Sequence, residues 1–154
     1  MAAAQSGASR RSIVGHDSID GTLSRSVLPF DLVSELDQLR RDESWQNPTG
    51  RSSKTLVKYA DLRIVLIAMK ANTRMHEHSA AGRISVHSLN GHIRLHLPDQ
   101  VVDLPAGHLL ALDECVPHDV EATEDSAFLL TLSWPQKTKV LGAKARGKKA
   151  TQPK

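Results

Sequence analysis

Residues 83–97 read RISVHSLNGHIRLHL, two runs in which apolar and polar residues alternate on either side of Asn90-Gly91. Period-two alternation sends successive side chains to opposite faces of a strand. A helix would throw Leu95 to the side opposite Ile93 and Leu97, so the pattern suits only a strand with one buried face. An Asn-Gly pair between two such runs supplies the left-handed turn residues of a tight connection and predicts a hairpin at 90 and 91.

The same texture extends from Lys54 to Trp134. KTLVKY and DLRIVLIAMK are rich in β-branched and aliphatic residues, with a turn at Ala71-Asn72. VVDL, HLLAL, HDVEA and AFLLTLSW follow, separated by LPDQ, PAG and DECVP. Seven or eight short strands with no helix among them predict an all-β barrel or sandwich. Only 3% of the residues are aromatic, so the core must be built from Val, Leu, Ile and Ala. A barrel of roughly eighty residues is small, and a homodimer that covers an open sheet edge is expected.

Ahead of the strands, PFDLVSELDQLRRDESW places Leu32, Leu36 and Leu39 on one helical face. Pro29 and Asp31 suit the start of that helix, and Arg40 and Arg41 suit its last turn. Its short leucine stripe is that of a lid packed on the following domain. Residues 1–27 are Ser-, Ala-, Gly- and Arg-rich without a period and read as a disordered arm. The last eighteen residues carry seven Lys or Arg and no acid, so the formal +3 of the chain becomes −4 without them. That tail reads as solvated, with weak nonspecific nucleic-acid contact as its sharper role. The expected organisation is an arm at 1–27, a helix and linker at 28–53, a barrel at 54–136 and a basic tail at 137–154. A single cysteine excludes an internal disulfide, and no apolar run is long enough to span a bilayer. No apolar run follows the early arginines as a secretory signal requires, so a cytoplasmic protein is expected.

The chemistry concentrates in histidine. His76 and His78 lie at i and i+2, which on a strand puts both imidazoles on one face and suits chelation of one ion. Two ligands rarely hold a transition metal, and His118, which opens a strand after DECVP, is the best third. His87 falls on the face opposite Ile84, His92 and His96 on a solvent face, and His108 at a barrel rim; His16 lies in the arm. Alternation points Glu77 outward. Cys115 reads as a buried thiol above the site, and Arg74 and Arg83 as cations near the mouth able to meet an anionic ligand.

These residues resemble a small single-domain cupin. The first motif of that family, G(X)5HXH(X)3-4E(X)6G, is matched by His76, His78 and Gly91; the second, G(X)5PXG(X)2H(X)3N, by Gly107 and His118. The resemblance covers just over half of the chain and implies a cupin-type jelly-roll barrel with metal or ligand in its mouth. Both motifs depart from the family pattern. Ile84 stands where the glutamate ligand should be, counted from Gly91, and one residue too many separates His78 from Gly91. Asp113, Cys115 and Ala122 replace the Pro, Gly and Asn of the second motif. The resemblance therefore implies a small organic ligand with a divalent metal (Fe, Zn, Mn or Ni) on His76, His78 and His118. Two alternatives stand beside it: a metal-free ligand-sensing module, and a three-histidine Fe(II) dioxygenase-like enzyme.

Overall fold

The two alternating runs around Asn90-Gly91 are both strands, β4 (Arg83–Asn90) and β5 (His92–His96), but they do not pair with each other. The hairpin expected there is a corner that carries the chain from one sheet to the other. Gly91 has φ +73°, and a Cβ on it would meet Asp125 O at 2.4 Å. Gly91 does supply the left-handed backbone expected of this turn. The expected pairing of β4 with β5 is absent, because a corner and a hairpin demand the same left-handed backbone.

A computed structural model describes residues 27–134. The remaining strands are β1 (Arg51–Lys58), β2 (Leu62–Met69), β3 (Thr73–His78), β6 (Val101–Pro105), β7 (Leu109–Leu112), β8 (His118–Ala122) and β9 (Ser126–Ser133). They form two antiparallel sheets, β1-β2-β9-β4-β7 and β3-β8-β5-β6. This is the all-β jelly roll expected, with one strand more than the upper count. The barrel begins at Arg51, three residues ahead of the expected boundary, because Gly50 (φ +59°) ends the preceding turn. The arm to residue 26, the basic tail and His16 lie outside the described residues.

Between the sheets Ile67, Met69, Ile84, Val86, Ile93, Leu95, Leu104, Val120, Ala122 and Phe128 form the core. The outer face of the five-stranded sheet has a second cover. Helix α1 (Leu32–Arg41) is capped by Asp31, whose carboxylate accepts from the backbone of Val33 and Ser34. With the short α2 (Glu43–Gln46) it sets Leu36, Leu39 and Trp45 against Leu56, Leu66, Ala68, Leu89 and Leu129. The helix is thus the lid its leucine stripe suggested, on the face away from the barrel interior. The extra residue of 79–91 also has a place. The β4–β9 register slips between Ser88 and Asn90, so Leu89 is a bulge that turns toward the helical layer.

Candidate metal and ligand site

Two loops, 79–82 and 113–117, cross between the sheets at one end of the barrel, and the Cys115 N–H donates to Ala80 O to join them. That end is the mouth. His78 closes β3 and His118 opens β8, and the two are direct partners in the ladder. Their rings stand 4.4 Å apart at 58°. His118 is 4% exposed and shares the inward face with Val120. In each ring Nδ1 lies 2.9 Å from the carbonyl two residues earlier, His76 O for His78 and Val116 O for His118. A carbonyl only accepts, so Nδ1 donates, and in the neutral ring the lone pair is then on Nε2. Neither Nε2 has a hydrogen-bond partner among the described residues. Metal-ligating histidines are oriented in this way.

His76 is placed differently. Met75 pairs with Val120 and His78 with His118, so His76 and Glu77 together oppose Asp119. That bulge breaks the alternation on which the His76–His78 spacing argument relied. Among the described residues no three His, Cys, Asp or Glu side chains stand close enough together to hold one ion.

No family model matches the sequence, and no curated protein matches it. Solved structures do. A conserved Streptococcus pyogenes protein of unknown function superposes with a TM-score of 0.55 at 23% identity, over 58% of this chain and 79% of that one. A cupin superfamily protein from Desulfitobacterium hafniense gives 0.54 at 18%, over 55% and 78%. The fold is that of a cupin. Salicylate 1,2-dioxygenase from Pseudoaminobacter salicylatoxidans also superposes, at 0.60 and 12% identity, over 68% of this chain but 32% of that one. At these identities the likeness is one of fold.

Within the cupin barrel Ile84 is the first inward position of β4 and Gly82 lies two residues before it in the loop, and neither supplies a carboxylate. Ile84 is 5% exposed in the core. A side chain at Gly82 would meet Ser133 O at 2.4 Å and the Trp134 ring at 3.0 Å, so Trp134 fills that space. The donor set therefore fits a metal in part, with two oriented imidazoles and no anionic ligand.

Other expected residues are placed elsewhere. Arg74 does not face the mouth: it forks onto Asp119 from β3 to β8, with Nε to Oδ1 at 3.0 Å, on the outer face of the four-stranded sheet. The Arg74 guanidinium holds the Asp119 carboxyl below the usual carboxylate range against the opposing effect of burial. Arg83 is likewise spent on Asp113, at 2.9 Å. Cys115 is exposed rather than buried, at φ +62°, because the loop turns its backbone, not its side chain, toward Ala80. His92 and His96 lie on the outer face as expected, half-buried and donating to Asp103 and Glu121. His87 pairs with Leu129 and Leu109 on the face opposite Ile84.

Arg63 and Trp134 were not singled out from sequence. Arg63 precedes Val65, Ile67 and Met69 on the inward face of β2, and its guanidinium lies 5.6 Å over the Trp134 ring. Its inward placement is set by the register of β2 on β9, in which Arg63 opposes Leu132.

Proposed function

We propose that this cupin binds a small organic molecule at the barrel mouth beside a divalent transition metal (iron, zinc, manganese or nickel) on His78 and His118, with His76 as third ligand. The observation that supports this reading best is the pair of imidazoles with Nδ1 tied to main-chain carbonyls and Nε2 left over. His76 follows from its i, i+2 relation to His78, and straightening of the β3 bulge would bring it to the same face. A metal there supplies Lewis acidity and open coordination positions. The chain itself contributes a buried, fixed His118 and an apolar wall at Ile84 and Leu112 that keeps water from one side of the ligand. Metal analysis of untagged protein, followed by titration with each ion, tests the reading. His78→Ala and His118→Ala should each strip the metal, and His76→Ala should weaken it. Wild-type protein that takes up none of the four ions would remove the metal from the reading.

A second reading, a metal-free ligand-sensing barrel, is favoured by one observation: both positions where a carboxylate ligand would enter are apolar or filled. We also propose a homodimer; the open edges at β1 and β7 of one sheet and β3 and β6 of the other, with Val101 and Leu109 exposed on two of them, support this reading. Light scattering on a sizing column decides this; a monomer mass at working concentration would rule the dimer out.

A further inference from the structure

One row of residues crosses the inward face of the five-stranded sheet at the mouth. Lys58 pairs with Arg63, Arg63 with Leu132, Leu132 with Ile84, and Ile84 with Leu112. Directly opposed residues of an antiparallel pair share a face. Lys58 and Arg63 are therefore two cations side by side, an arrangement that costs stability unless a negative charge stands near. No carboxylate among the described residues forms an ion pair with either. Arg63 Nε is buried and has no hydrogen-bond partner. Trp134 supports the guanidinium from one side, and the cramped approach at Gly82 fixes Trp134. A guanidinium stacked on an aromatic face keeps its donor edge for a planar anion.

We propose that Arg63, assisted by Lys58, is the anchor for the carboxylate of a small amphiphilic acid whose apolar body lies along Leu132, Ile84 and Leu112. The row runs from two cations to three aliphatic side chains, so the complementary ligand is anionic at one end and apolar at the other. A bare phosphate fits only the first half. Ile84 lies two strands, about 10 Å, from Arg63. Where the cupin motif puts a ligand carboxylate, this barrel has an apolar surface, and the nearest charge in the row is positive. The proposal rests on the reading of the mouth as a ligand site, but not on its metal.

Calorimetric titration of the full chain with benzoate, benzamide and inorganic phosphate tests it, with and without a chelator. Benzoate should bind more tightly than either of the others, since benzamide lacks the charge and phosphate the apolar body. Arg63→Gln should weaken benzoate by about tenfold or more, and Arg63→Lys by less, because a charge-assisted bidentate contact is lost or reduced. Arg63→Gln must keep the wild-type melting temperature or exceed it, since it also removes a like-charge contact, and must keep the wild-type metal content. Equal binding of benzoate and benzamide, or benzoate affinity unchanged in Arg63→Gln, would overturn the proposal, as would the absence of benzoate binding at millimolar concentration. His118→Ala separates the two readings: it should lose metal and retain benzoate.

Discussion

Ile84→Glu restores a carboxylate at the position counted back from Gly91, and its cost can be worked from the site. Ile84 is 5% exposed and packs between Leu112 and Leu132. Losing that aliphatic burial costs about 2 kcal/mol, and burying a carboxyl with no partner costs about 2 more. For a domain of roughly 100 residues the total of about 4 kcal/mol lowers the melting temperature by about 16–30 °C. Burial raises the folded-state pKa of the new carboxyl. The ionisation part of the penalty is therefore absent below the unfolded value of about 4.3 and grows as pH rises through the folded value. A divalent ion bound by the new carboxylate with His78 and His118 reverses this, returning about 2.7 kcal/mol at a hundred times its Kd. Arg63 shares the row and is the competing partner, so the measurement is made in the Arg63→Gln background as well. Thermal melts at pH 5 and 8, with chelator and with zinc, manganese or nickel, give the result. Equal stability of the variant and wild type at pH 8 in chelator would show that position 84 is not a dry inward position. A destabilised variant that no ion rescues would show that the two imidazoles do not face it.

Gly91→Ala meets both a φ of +73° and the Asp125 carbonyl at 2.4 Å, so urea denaturation should show a loss of about 3 kcal/mol or more, against a smaller loss of about 1 kcal/mol at Gly107, where the space is open and only the φ of +83° opposes a side chain. Leu39→Ala should cost about 2–3 kcal/mol, because Leu39 is 6% exposed against the outer sheet face, and should leave metal and benzoate titrations unchanged; altered titrations would mean the helical layer communicates with the mouth. The depressed Asp119 carboxyl gives stability that is present above the unfolded pKa of about 3.9 and is lost as pH falls through the lower folded value. Arg74 is half-exposed, so the pair is worth only about 1 kcal/mol, and Asp119→Asn should flatten the acid limb of the stability curve below pH 4 by that amount.

Much of this architecture is local and was legible. Alternation at 92–97 assigned Ile93 and Leu95 to the core, and the i, i+4, i+7 leucines assigned α1 to a covering layer. What failed was nonlocal or unmarked. Asn90-Gly91 looks the same whether the following strand folds back on β4 or crosses to the other sheet, because partner choice is made by β9 and β7, far along the chain. The bulge at His76 and Glu77 has no Gly or Pro to announce it, so the His-x-His spacing reads as plain alternation and places His76 beside His78. The count from Gly107 to His118 runs through a loop and survives such slips, and that imidazole does meet His78.

Arg63 was hidden for a different reason, and the reason bears on what the mouth recognises. DLRIVLIAMK is apolar on both faces over its second half, since Leu66 and Ala68 meet the helical layer while Ile67 and Met69 meet the barrel core. Continuous hydrophobicity erases the period-two signal, so nothing local shows that the single arginine falls on the inward side. Only the register with Leu132 and Ile84 reveals it. The charge of the mouth is then set by two positions that the motif comparison treats separately. Ile84 removes the anion that would favour a cation, and Arg63, supported by Trp134 and doubled by Lys58, provides the cation that favours an anion. If the two are coupled in this way, Arg63→Gln combined with Ile84→Glu should exchange the preference, gaining divalent-metal affinity as benzoate affinity falls, and each single change should make only half of that exchange.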